Sequence, residues 1–170
     1  MITFSKETIT THIDRIRGAG DVCMYYVHGS QSGALIDTGY GVGDLKEFIE
    51  KTYHQNYEVI ITHGHADHAN GIAQWNKVWM NTIDKDLYFD RSSIALRKEM
   101  LKKKYSDIET WDDSLFQPVF KGEFIHLEEG MTFDLGGVSL LMIHAPGHTQ
   151  GMMVPLVKED RVAIFGDAWG

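Results

Sequence analysis

Residues 60–71, IITHGHADHANG, place three histidines and an aspartate within six positions directly behind an apolar run. This feature limits the fold most, because ligand-type groups this dense follow a buried strand where its end opens onto a site. His63 and His65 stand two apart, so extended backbone aims both imidazoles to one side. Asp67 and His68 follow at once, in the first turn of any helix that starts there. Neutral imidazole and carboxylate are donors that Zn²⁺, Fe²⁺ and Mn²⁺ accept. A solvated histidine-rich turn is the competing reading, and it leaves the preceding apolar run unexplained.

Two later segments repeat the pattern of a strand ending in a ligand-type residue. In HAPGHTQG, residues 144–151, Pro146 and Gly147 force a tight turn that presents His148. In VAIFGDAWG, a short apolar strand ends at Gly166 and Asp167. Taken alone, the first reads equally well as an ordinary turn, and an aspartate after glycine is usually just a turn residue. Beside the first cluster, His148 completes a three-histidine set and Asp167 becomes a candidate ligand.

The rest of the chain supplies a scaffold for such loops. ITTHIDRI, VCMYYVHG and GALIDTG read as strands, the last two joined by a hairpin turn at Gly29 and Ser30. Asp44 is placed to cap a helix LKEFIEKTY whose Leu45, Phe48 and Ile49 share one face. YEVIITH reads as a strand buried on both faces. GIAQW would prolong a helix after the histidines, and KVWMN returns to strand. From residue 123 onward EFIHLEEG, MTFDLGGVSLLMIH, GMMVPLV and RVAIFGD read as strands with turns at Gly130 and at Gly136 and Gly137. Residues 84–113 form a polar helical insertion, with Leu87, Tyr88, Leu96, Met100 and Leu101 spaced for one face. Tyr88, Phe89, Arg91, Arg97 and Trp111 could make it a lid, although a helical pair packed on the scaffold is the reading preferred.

With these motifs the chain resembles the metallo-β-lactamase superfamily. THGHADH matches its T-H-x-H-x-D-H signature, PGHTQG its second histidine motif and FGD its aspartate strand, in the same order. LIDTG, residues 35–39, is similar to the family's early strand, whose aspartate supports the histidine loop, so Asp37 is expected beside the ligands. The resemblance implies an α+β fold, a four-layer αββα sandwich, as one domain over residues 1–170 with the insertion at about 84–113. It implies a first metal site of His63, His65 and His148 and a second with Asp67, His68 and a bridging Asp167. It further implies two zinc ions, with iron or manganese as substitutes, and a metal-bound hydroxide that attacks an ester-like, thioester or lactone bond, with Asp67 orienting it. A last histidine ligand of the family has no counterpart after Asp167. The chain is therefore expected to be incomplete at its C-terminus, with a weakened second site and uncovered apolar surface that favours a homo-oligomer. A metal-binding protein without hydrolytic activity and a phosphodiesterase or nuclease are the alternatives.

Composition separates these readings. A net charge of −8 opposes attraction to nucleic acid or an anionic membrane, which leaves a small-molecule substrate as the expected partner. Lys102, Lys103 and Lys104 form a short basic run that reads as a solvated helix face. No apolar run approaches membrane-spanning length, and the N-terminus lacks a secretion-signal pattern, so the expected location is cytoplasmic. Cys23 is the single cysteine and is expected to be a buried small hydrophobe. His12, His28, His54, His126 and His144 match no ligand position, His144 being the nearest in sequence to His148.

Overall fold

The computed structural model describes residues 3–169. The chain forms a seven-stranded sheet in the order β1 to β7, packed against a four-stranded sheet in the order β11-β10-β9-β8. In the first sheet β1 (Ser5–Thr8), β2 (Ile13–Arg17), β3 (Cys23–His28) and β4 (Gly33–Ile36) pair antiparallel. The helix α1 (Leu45–Tyr53) then carries the chain across to β5 (Tyr57–Ile61), which pairs parallel with β4. A second crossover through α2 (Ala66–Ala69) leads to β6 (Lys77–Met80), again parallel. After α3 (Lys85–Asp90) and α4 (Ile94–Leu101), β7 (Glu123–His126) joins parallel to β6. The second sheet consists of β8 (Thr132–Asp134), β9 (Ser139–His144), β10 (Met153–Val157) and β11 (Val162–Ala163), all antiparallel. Among the described residues every helix precedes this second sheet in the chain.

Alternation along the strands sorts the core into two layers. Met24 and Tyr26 of β3, Leu35 of β4, Val59 and Ile61 of β5 and Val78 and Met80 of β6 face the helices, where Leu45 and Ile49 of α1 meet them. Their neighbours Val27, Ala34, Ile36 and Ile60 face the second sheet and pack on Leu140, Met142, Met153 and Val157. β5 is buried on both faces because it lies inside the sheet with a layer on either side. Asp44 caps α1 by accepting the Glu47 amide at 2.8 Å.

Several expectations change in the structure. β1 has no hydrophobic alternation, since all four of its residues are exposed on an edge strand, so nothing in its sequence announces it. The helix after the histidines does not extend through GIAQW. It stops at Ala69, and Ile72–Gln74 form a separate 3₁₀ turn. The Thr38 amide donates to His68 O at 2.7 Å and the Asn70 amide to Gly39 O at 3.0 Å, so contacts with the 37–39 loop replace helical ones. Cys23 is half-buried and not in the core. It shares the face of Tyr25 at the open end of the sandwich and lines a cleft of about 450 Å³ with Val22, Asp67 and Ile164.

The insertion packs on the scaffold with Tyr88 and Leu101 buried, while Phe89 and Arg91 are exposed. Its helix α4 is anchored by an arginine where an apolar stripe was expected. Arg97 is 1% exposed, donates to Tyr40 O at 3.1 Å and to Gln117 O at 2.8 Å, and lies 5.5 Å from the Phe116 ring centroid. Lys102 pairs with Glu109 at 3.3 Å and Lys104 with Asp21, so these two members of the basic run are neutralised locally. No helix of the described residues is long and apolar enough to cross a membrane.

Candidate metal centre

Parallel strands place the loops at their C-terminal ends on one edge of the sheet. Asp37 comes directly after β4, Thr62 and His63 directly after β5, and His65 stands at the N-cap of α2. The second sheet brings His148 from the β9–β10 loop and Asp167 from the segment after β11. Residues spread over more than 100 positions thus meet at one end of the sandwich.

Two donor groups form there, each with its ligand atoms within 4.8 Å of one another. One is His63, His65 and His148, and the other is His63, His68 and Asp167. His65 Nδ1 lies 2.9 Å from His148 Nε2, and Asp167 lies 3.4 Å from His148 Nε2 and 3.5 Å from His68 Nε2. Asp167 therefore stands between the groups. Asp67 is 3.8 Å from His68 Nε2 but belongs to neither group. His12, His28, His54, His126 and His144 lie outside both groups. His12 instead meets Asp160 at 2.6 Å, and His144 Nε2 meets Gln150 O at 2.9 Å.

Asp37 explains the orientation of the buried imidazoles. It is 2% exposed and adopts a left-handed backbone with φ of 64°. Its Oδ2 lies 2.7 Å from His68 Nδ1, and the Thr62 hydroxyl donates to the same oxygen at 2.8 Å. The Thr62 amide fills Oδ1 at 2.8 Å. With its own hydrogen given to Asp37, the Thr62 hydroxyl must accept from His63 Nδ1, 3.0 Å away. That bond fixes the tautomer and leaves the lone pair of His63 on Nε2, an atom that is buried and has no hydrogen-bond partner. A buried acceptor without a donor is rare and calls for a ligand. Three imidazoles and a carboxylate around it fit a divalent metal ion.

The charges agree with this arrangement at His63 and His65, whereas those around His68 favour its protonated form, from which an ion would have to displace the proton on Nε2. Burial, followed by the nearby His68, lowers the His63 pKa to about 4, so the imidazole is neutral and able to donate a lone pair at neutral pH. Burial and His148 also lower His65. Burial works against a charge on His68 too, but Asp37, Asp167 and Asp67 outweigh it and raise the pKa to about 10. The hydrogen-bonding contact with His68 outweighs the burial that pushes Asp167 up and, with the nearby charges of His68, His63 and His148, brings its carboxyl down to about 2.

Thr62 and Asp84 are the participants that the sequence does not reveal. Thr62 is visible there only as a letter in a motif. Asp84 has the appearance of a helix-capping residue at the head of the insertion, although its carboxylate bonds to both histidine loops.

The family model of the metallo-beta-lactamase superfamily matches residues 16–169. The human acyl-coenzyme A thioesterase MBLAC2 is 22% identical over 161 residues, covering 85% of this chain and 57% of that protein. An atrochrysone carboxyl ACP thioesterase of Cryptosporiopsis sp. (strain 8999) is 26% identical over 147 residues, covering 84% of this chain and 37% of that protein. The chain thus spans little more than half of the one relative and just over a third of the other. Among solved structures, a beta-lactamase domain protein from Burkholderia ambifaria superposes with a TM-score of 0.64 at 16% identity, over 94% of this chain and 56% of its own. A metallo-beta-lactamase of Cronobacter sakazakii gives 0.61 at 20% identity, over 93% and 60%. These likenesses bear out the α+β fold. With the family match extending over nearly the whole sequence, the chain belongs to the metallo-beta-lactamase superfamily.

Proposed function

We propose that this chain carries the metal centre of a zinc-dependent hydrolase that cleaves thioesters. The observation that carries this reading is the buried lone pair of His63 Nε2, surrounded by the donor atoms of His65 and His148. His63, His65 and His148 would hold the first ion, and His68 and Asp167 the second, with His63 close to both groups. Zinc, when bound, supplies Lewis acidity and acidifies water. Asp67, a quarter exposed beside His68, is placed to accept a proton at its carboxylate and to orient the attacking water. Asp37 keeps the proton of His68 on Nδ1 and so keeps Nε2 turned toward Asp67 and Asp167. The thioesterase names of two relatives support the thioester over the lactone. The acidic net charge supports a small-molecule substrate over nucleic acid.

The test is purification without chelator, metal analysis, and assay against an acyl-coenzyme A, an S-acyl glutathione, a lactone and a phosphodiester. Thioester turnover that disappears with EDTA and returns with zinc is expected. Bound metal with no turnover of any ester favours the non-hydrolytic alternative, and cleavage confined to the phosphodiester favours the nuclease alternative.

A further inference from the structure

Asp84 ends the 3₁₀ turn Thr82–Asp84 and stands at the N-cap of α3, yet its side chain makes no capping bond to that helix. It is 2% exposed, and its carboxylate is filled by donors from elsewhere. Oδ2 accepts from the Gly64 amide at 3.1 Å and from the Thr149 hydroxyl at 2.6 Å, while Oδ1 accepts from the Gly151 amide at 2.8 Å. Gly64 lies between His63 and His65, and Thr149 is the residue after His148. One carboxylate therefore binds both loops that carry the three-histidine group.

Glycine permits this close approach on each side. A Cβ on Gly64 would lie 2.6 Å from the Asp84 carbonyl oxygen, and one on Gly151 would lie 2.8 Å from Asp84 Cγ. The backbone of Asp84 is itself fixed, since its amide donates to Asn81 O at 3.1 Å and the Asn81 side chain accepts from the Ile83 amide at 3.1 Å. A second tie between the sheets, from the Met153 amide to Thr62 O at 2.8 Å, sits at the strand ends and leaves the loops beyond it to Asp84.

We propose that Asp84 is a positioning residue for the metal centre. It sets the separation of His148 from His63 and His65, so the insertion controls how tightly the first group holds its ion. Partners that orient ligands in this way are typically worth about 10–100-fold in metal affinity. The inference rests on the proposal that the three histidines bind a metal ion.

The test compares the whole chain with Asp84→Asn, Thr149→Val and Thr149→Ser. Zinc affinity is measured by competition with a chromophoric chelator, and near-ultraviolet circular dichroism at the same temperature checks the fold. Asp84→Asn turns an amide NH₂ toward a donor and should weaken zinc about 10–100-fold. Thr149→Val should lose affinity in the same direction but by less, and Thr149→Ser, which keeps the hydroxyl, should restore it. In the cobalt-loaded protein, the visible absorption of Asp84→Asn should change in shape. A melting temperature lowered by Asp84→Asn with zinc affinity unchanged would overturn the proposal in favour of a purely structural role. If Asp84→Asn does not fold, unchanged affinity in Thr149→Val overturns it instead. A wild type that binds zinc and leaves thioesters uncut refutes the hydrolase reading alone. A wild type that binds no zinc refutes both.

Discussion

Asp37 and His68 are 31 residues apart and meet through a 2.7 Å contact between a carboxylate oxygen and Nδ1, with the same carboxylate holding the amide and hydroxyl of Thr62. One buried acid thus orients two imidazoles, His68 directly and His63 through Thr62. Asp37→Asn tolerates the left-handed backbone at this position, since Asn adopts it readily, so the change isolates the carboxylate. Metal affinity should fall about 10–100-fold, with secondary structure retained. Zinc competition together with far-ultraviolet circular dichroism checks this, and unaltered affinity would show that the imidazoles hold their orientation without Asp37.

Removing a ligand should silence the centre while sparing the fold. His148→Ala is the cleaner change, because His148 lies on a loop and is exposed, whereas His63 is fully buried between Thr62 and its neighbours. Both His148→Ala and His63→Ala should lower thioester turnover by at least about 100-fold, the most that loss of a partner orienting a ligand typically costs. His63→Ala should also lower the melting temperature of the metal-free protein, since it opens a cavity. Near-normal turnover in either variant would place the reacting centre elsewhere.

The scaffold was more legible in the sequence than the supports of the site. β5 and α1 follow from periodicity, because burial on one face or on both leaves a mark in the order of apolar residues. The donor cluster was legible in part, because His63, His65 and His68 stand at fixed offsets behind an apolar run, while Asp67 of the same motif joins neither donor group. β1 was hidden because an exposed edge strand needs no apolar pattern. Arg97 was hidden because its partners are backbone carbonyls, which any sequence supplies. Asp84 was hidden for a similar reason, since two of its three donors are glycine amides.

Arg97 also offers a test of how the insertion is anchored. Arg97→Met keeps the bulk of the side chain but withdraws the guanidinium from the carbonyls of Tyr40 and Gln117 and from the Phe116 ring. Leaving two acceptors without donors should cost about 2–4 kcal/mol. Urea unfolding of the two proteins measures the difference, and a loss within error would mean that water replaces the guanidinium at both carbonyls.

Away from the centre, Asp14 should govern part of the acid limit of stability. It is 2% exposed and accepts from the Thr8 hydroxyl at 2.7 Å, Lys6 Nζ at 3.0 Å and the Tyr53 hydroxyl at 3.1 Å, which ties β1, β2 and α1 together. Burial pushes its carboxyl up, but the hydrogen bonds from Thr8, Lys6 and Tyr53 outweigh that and hold it below the ordinary aspartate value. The folded state therefore binds its proton less readily than the unfolded chain, where aspartate titrates near about 3.9. The stability it contributes is fully present above that unfolded value and is lost as pH falls through the lower folded one. Asp14→Asn should accordingly be less stable than wild type by a constant amount between about pH 5 and 8, with the gap closing below about pH 4. Urea unfolding of both proteins across this range checks the sign. A gap that stays constant down to the lowest pH at which both fold would mean that the Asp14 carboxylate is not what the three donors stabilise.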